Sequence, residues 1–551
     1  MALFRTFFLI YIISISLFSY ESFEDKLDFR EDTSNQNKAS KLHPKSHIKI
    51  FLPSLPYSYV AKATNSGLLR TYDNKDGWIY DLAESHERLD DFTYIFTLRD
   101  NLKFQDGTDF SVDDVIYNLK FFRNNPYLYT NIDKVDFDIF KLDSKRVKIV
   151  LKSKYELFLN DLAAIYFYKK EYIKKYNPVG KYTGTANKIA GAFSMGPYIL
   201  KDGFAIGDKH TEKLELIANP YYWDKRYPKI KRITVYTQLD VNKAIEDITK
   251  NEGKLDFMPI PFNKKFEVIL SKYSKLTISK STDNFIVFFN LINGNKKLKE
   301  DRVRVALNQA LNQENLLNFV YKNEGRISPF TASINYDIVE QVAKDFKIEE
   351  EKIPQEDLKT LLNGLKLNIF TQDRFLFLLK GIEFQLSKYG VEFNYTITRS
   401  EKDIYQELLT TSKNENKKDW DLLVWGDDDW YGQNPWSVFF IYKYGSAWST
   451  IPKDEFMQNN INNFFITKTH TKEYKNIVKN ILHREREKAY TLRVPSLNNV
   501  FALNKELIFK PYRGGVIPLW EMGISINHWS IRDDEKYDKE LEKPIKPKRI
   551  K

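Results

Sequence analysis

The densest gathering of reactive side chains lies in one short run, Asp421-Leu422-Leu423-Val424-Trp425-Gly426-Asp427-Asp428-Asp429-Trp430-Tyr431-Gly432-Gln433-Asn434-Pro435-Trp436. An apolar stretch ends at Gly426, and three consecutive carboxylates, Asp427, Asp428 and Asp429, follow among Trp425, Trp430 and Tyr431. Adjacent carboxylates repel one another, so such a run is tolerated where a cation, a neighbouring Arg or Lys, or backbone amides offset the charge. Aromatic rings beside them exclude water and strengthen any charge-assisted contact. Loops at the ends of apolar strands are where binding side chains concentrate. The expectation is a ligand-binding loop formed by Trp425, Gly426, Asp427, Asp428, Asp429, Trp430 and Tyr431, with the aspartates meeting a cationic group such as a peptide ammonium. The alternative is a structural loop whose aspartates cap a turn or hold a stray cation.

Other chemistries find little support. There is no cysteine, which removes disulfides, thiolate metal sites and cysteine nucleophiles. No phosphate-cradling glycine loop, Gly-x-Ser-x-Gly elbow or His-Glu-x-x-His pair occurs. The seven histidines are scattered, and His43 and His47, at helical spacing, flank Pro44 in a polar stretch. Asp and Glu are plentiful enough for a carboxylate-pair hydrolase by residue type alone. No cofactor is expected.

The elements that would position the loop alternate between strand and helix. Phe92, Tyr94, Phe96 and Leu98 alternate with Thr93, Ile95, Thr97 and Arg99, the period of a strand. A short strand over 102–104 should follow, then an Asp106-Gly107 turn. Ser111 is placed to cap a helix carrying Val112, Val115, Ile116, Leu119 and Phe122 on one face. Further strands are expected at 48–52, 146–151 and 232–237, and helices at 241–250 and 301–321. Mixed elements throughout argue for the α/β class. A chain of 551 residues is too long for one ordinary core.

Several ordered blocks then carry a resemblance. Phe92-Thr93-Tyr94-Ile95-Phe96-Thr97-Leu98-Arg99 leads to Leu102-Lys103-Phe104-Gln105-Asp106-Gly107-Thr108, and Ser111-Val112-Asp113-Asp114-Val115 follows. Gly196-Pro197-Tyr198, Asn219-Pro220-Tyr221-Tyr222-Trp223, Gly253-Lys254-Leu255-Asp256 and Asp301-Arg302-Val303-Arg304-Val305-Ala306-Leu307 come later in the same order. Over roughly 45–530 the chain resembles the family-5 extracellular solute-binding proteins of ABC importers, which include oligopeptide-, dipeptide- and nickel-binding members. The resemblance implies an α/β, two-lobed periplasmic-binding-protein-like fold of the class II, cluster C type. It implies a discontinuous first lobe (20–65, 185–283 and 495–532), a subdomain inserted at 66–184 and a second lobe at 284–494. It also implies a ligand held between lobes that close on it, an ABC permease in the inner membrane as partner, and a monomer.

In peptide-binding members an aspartate of the cleft loop holds the ligand's amino terminus. Aligning on Gly426 and Pro435 puts Tyr431 at that place, and a small shift puts Asp429 there instead. The leading reading is therefore a receptor for a peptide or peptide-like ligand. The alternatives are a receptor for a nickel or other metal chelate, a periplasmic hydrolase, or a chaperone-like binder.

Residues 1–19, with Arg5 ahead of an apolar run from Leu3 to Phe18 and Ser19 behind it, read as a signal peptide. With no cysteine to carry a lipid, a freely soluble periplasmic protein is expected. Net charge is +11, densest in the tail at 533–551, where a solvated terminus is expected. Export argues against nucleic acid as a partner.

Overall fold

In the computed structural model the described residues are 42–532, apart from 54–55, 126–129, 179–187, 207–208, 347–351, 417, 428 and 515. The signal segment, the basic tail and Asp428 lie outside the described residues.

Three sheets organise the chain. The largest has ten strands and runs Lys209–His210, Tyr198–Ile206, Lys213–Ala218, Arg232–Tyr236, His47–Phe51, Phe257–Pro259, Ser496–Asn504, Ser274–Lys280, with Lys188–Gly191 and Gly325–Arg326 attached. Early, middle and late segments thus share one sheet. His47–Phe51 lies parallel to both Arg232–Tyr236 and Phe257–Pro259. Helix Val241–Lys250 buries Ala244, Ile245 and Ile248 against this sheet, and Asp240 caps it by accepting from the Lys243 amide.

A separate antiparallel sheet is built from Ala83–Arg88, Thr93–Leu98, Arg146–Leu151 and Phe137–Lys141. Tyr94, Phe96 and Leu98 face its core, as their alternation requires. Helix Val112–Arg123 packs nearby, held at its start by a reciprocal Ser111–Asp114 capping box. The strand expected at 102–104 does not form. Lys103 makes only an isolated bridge to Asp109, because Gly107 at φ +86° turns the chain back at once.

The third sheet runs Glu392–Thr398, Lys366–Gln372, Leu422–Asp427, Asn284–Phe289, Thr491–Leu492. Its first three strands are parallel, and Asn284–Phe289 is antiparallel to Leu422–Asp427. The helix expected over 301–321 is broken. It ends at Ala310, Asn312 caps a new start by accepting from the Asn315 amide, and Leu316–Val320 widens into a π-turn. Arg304 on the first part is 1% exposed and directs its donors to Asp301 and the carbonyls of Leu298, Lys488 and Ala489.

The chain passes from the ten-stranded to the five-stranded sheet through 281–283 and returns through 493–495. One continuous apolar core links the four-stranded and five-stranded sheets, whereas the ten-stranded sheet has its own two clusters.

Candidate functional site

The two crossings set where a site can form. At the end of the five-stranded sheet, Asn284 pairs with Asp427 and Phe285 with Gly426, and the parallel strand Lys366–Gln372 leads into Asp373–Phe375 beside them. This is the carboxyl end of the parallel strands, the side on which α/β sheets present ligand crevices. A cavity of about 560 Å³ opens there. Pro261, Phe262 and Asn263 line it from the ten-stranded sheet's side, and Phe285, Arg374, Phe375 and Gly426 from the other. Its volume falls within the range of small-ligand pockets, about 300–1,000 Å³.

Of the seven residues picked from sequence, Gly426 lines this cavity. A methyl group there would stand 3.6 Å from the Phe285 ring, ordinary contact, so the glycine leaves room rather than relieving strain. Trp425 faces the other way, as the strand period of two demands. It is buried, edge-on to Tyr405 and Phe375, with the Arg374 guanidinium 4.8 Å from its ring centre. Asp427 ends the strand.

Asp429 is fully buried and already satisfied within the protein. It accepts from the Thr282 hydroxyl at 2.8 Å, the Gln433 amide at 2.7 Å and the Ser437 hydroxyl at 3.0 Å. Burial pushes its carboxyl up to about 6 despite these donors. Because Thr282 sits in the first crossing and its amide donates to the Arg513 carbonyl at 2.7 Å, Asp429 ties the loop to that crossing. Trp430 is buried, edge-on to Tyr431 and Phe440.

Tyr431 is 1% exposed, and its hydroxyl donates to Asp161 of the four-stranded unit at 2.6 Å. The Tyr155 hydroxyl reaches the other oxygen of Asp161, also at 2.6 Å. Burial holds the Asp161 carboxyl above its ordinary range and both phenols well above theirs. Gly77 and Gly432 meet back to back at the same junction; a Cβ on Gly77 would stand 1.9 Å from the Gly432 carbonyl oxygen. The expectation that Asp429 and Tyr431 face a ligand thus meets a different arrangement. A carboxylate beside donors and a phenol beside a carboxylate are each satisfied at the loop's base.

The cavity's charged side chains are Asp283, in the first crossing, and Arg374. The Arg374 guanidinium stands over Phe375, 4.7 Å from its ring centre, and donates to the Gln372 side chain at 2.9 Å. Sequence reasoning missed both, together with Phe262, Phe285 and Tyr321. The available signal was Ser281-Thr282-Asp283-Asn284, a polar run between two apolar strands where the chain changes sheet. Among the described residues no group of three or more His, Asp or Glu could hold a metal ion.

Residues 77–353, half of the chain, match the family described as bacterial extracellular solute-binding proteins, family 5. The chain belongs to this family. Family membership accounts for a two-domain α/β fold with a discontinuous first sheet. The glutathione-binding protein GsiB of Salmonella typhi is 29% identical over 269 residues, 46% of this chain and 47% of that protein. The chain thus spans about half the length of the curated relatives it matches. The fold is also that of the oligopeptide-binding protein AppA from Bacillus subtilis, solved with a nonapeptide, at TM-score 0.71 and 18% identity over 88% of this chain and all of AppA. NikA from Staphylococcus aureus, solved with Ni(L-His)2, superposes at TM-score 0.68 and 19% identity over 87% of this chain and all of NikA. No helix of the described residues is long and apolar enough to cross a membrane.

Proposed function

We propose that this protein is the exported, periplasmic substrate-binding component of an ABC importer. It captures a small peptide or peptide-like ligand in the cavity between the sheets and hands it to a membrane permease. It acts as a monomer, without catalysis. The observation that carries the reading is the cavity's place: it sits at the sheet-to-sheet crossing, lined from both sides, where hinge closure would enclose a ligand. Asp283 and Arg374, one acid and one base beside Phe262, Phe285 and Phe375, suit a zwitterion. A nickel-chelate receptor draws support from NikA, but the cavity lining offers no histidine and Asp283 as its single carboxylate. The crossings support lobe boundaries at 283/284 and 494/495, with the inserted unit at 66–184. Gly426 is read as ligand-lining, Trp425 as its backing, and Asp429, Trp430 and Tyr431 as residues that position the loop.

The test is mass spectrometry of the molecule that co-purifies with the native protein, followed by calorimetry against it. A receptor binds one equivalent without turnover, and Gly426→Trp, which fills the cavity, abolishes binding. Unaltered affinity in a folded Gly426→Trp variant would overturn the site; release of a cleaved product would overturn the receptor reading.

A further inference from the structure

The cavity's lining is more particular than a generic peptide cleft needs. Two perpendicular aromatic pairs frame it. Phe285 and Phe375 stand 5.9 Å apart at 80°, both from the five-stranded side. Phe262 and Tyr321 stand 5.5 Å apart at 83° and join the two sides, Phe262 following the large-sheet strand Phe257–Pro259 and Tyr321 following the π-turn. Phe377 and Leu378 continue this wall outward. Phe377 remains 63% exposed, so its ring offers apolar surface to a group bound in the cavity.

Asn263 and Asn284 add polar side chains to this frame, and Tyr321 adds a hydroxyl. Tyr321 is 6% exposed, and its hydroxyl has no hydrogen-bond partner among the described residues. Only burial acts on it, raising its pKa. Because the phenol borders the cavity, its hydroxyl can pair with a polar group bound there.

We infer that the ligand of this cavity carries an aromatic or large branched apolar group, packed against Phe285, Phe375 and Phe377, and a hydrogen-bonding group that pairs with the Tyr321 hydroxyl. This rests on the cavity being the binding site. It narrows the ligand class to one whose binding is dominated by an apolar side chain, with Asp283 and Arg374 serving its charged ends. Edge and face positions around the two pairs suit a planar ring, since perpendicular arrangements place ring edges against ring faces.

The experiment is calorimetry with defined probes on the protein freed of its native ligand. Ala-Phe-Ala should bind at least about tenfold more tightly than Ala-Gly-Ala, the factor expected from burying one large apolar side chain. Phe377→Ala should erode that preference. Tyr321→Phe should weaken Ala-Phe-Ala about fivefold with the melting temperature of the ligand-free protein unchanged, because no protein partner is lost. Equal affinity for the two tripeptides overturns the inference and leaves the peptide-receptor reading standing. The aromatic probe 1-anilinonaphthalene-8-sulfonate, bound stoichiometrically and lost in Phe377→Ala while no tripeptide binds, overturns the peptide reading and supports the inference. If Tyr321→Phe lowers the melting temperature and leaves affinity intact, the hydroxyl is structural and its role here is wrong.

Discussion

The Tyr431 hydroxyl and the Asp161 carboxylate meet at 2.6 Å in a fully buried junction, joining a loop of the five-stranded sheet to the inserted four-stranded unit. Asp161 also accepts from Tyr155, from the Thr130 hydroxyl at 3.0 Å and from the Asn131 amide at 2.7 Å. Removing one donor leaves three others. Tyr431→Phe should therefore cost about 1–2 kcal/mol, whereas Asp161→Ala, which strands four buried donors, should cost well over about 3 kcal/mol. Urea denaturation of the two variants measures the difference. Equal losses would mean that Asp161 is not the hub.

Gly77 and Gly432 should tolerate no side chain. Both have positive φ, +79° and +60°, and a Cβ on either meets the other's carbonyl oxygen at 1.9 or 2.2 Å. Because the atom met is backbone, the neighbour cannot swing aside. Alanine at either position should cost at least about 2 kcal/mol through backbone strain alone. Limited proteolysis should then find the four-stranded unit loosened from the five-stranded sheet.

Asp429 should give the protein a measurable pH dependence. Its folded value, about 6, lies above the ordinary 3.8. A raised carboxyl favours the folded state when protonated, so this contribution is present at low pH and is lost as pH rises from about 4 to about 6. The rise from 3.8 to about 6 corresponds to up to about 3 kcal/mol across that window. Melting temperatures of the parent at pH 7 and pH 5, each compared with Asp429→Asn, should show the parent gaining on acidification and the variant not. A parallel response in both proteins would remove Asp429 as the source.

Closure should move two bodies rather than three. The inserted unit and the five-stranded sheet share one apolar core, so they should travel together against the ten-stranded sheet. A bound ligand shifts the population toward the closed form. Small-angle scattering should show a smaller radius of gyration with ligand, while hydrogen exchange at Tyr431 and Asn160, on either side of the junction, stays unchanged. Faster exchange at both on ligand release would instead mean that the junction opens.

Much of the scaffold could be read from residue order. The alternation at Tyr94, Phe96 and Leu98, the Ser111 cap and helix Val241–Lys250 are local signals, and local physics decides them. The site was less legible for a nameable reason. The aspartate run drew notice because its charges adjoin in sequence, yet the fold gives Asp429 its partners from Thr282 and Ser437 and Tyr431 its partner from Asp161, 147, 8 and 270 residues away respectively. The cavity wall comes from Phe262, Tyr321 and Phe375, each unremarked in its own segment because an aromatic residue at a strand or helix end looks like core. The break after Ala310 escaped notice too, since Leu311-Asn312 interrupts an otherwise helical pattern by capping rather than by proline or glycine.

Strand Ser496–Asn504 lies inside the ten-stranded sheet, between Phe257–Pro259 and Ser274–Lys280. A chain folding amino terminus first therefore builds a sheet with a raw edge at Phe257–Pro259 and leaves Ser274–Lys280 without a strand neighbour until Ser496–Asn504 arrives. Until then the folding protein carries an open, pairing-hungry edge that invites association with other chains. Completion of the largest sheet therefore waits on a segment distant in sequence, and its arrival is what closes the exposed edge.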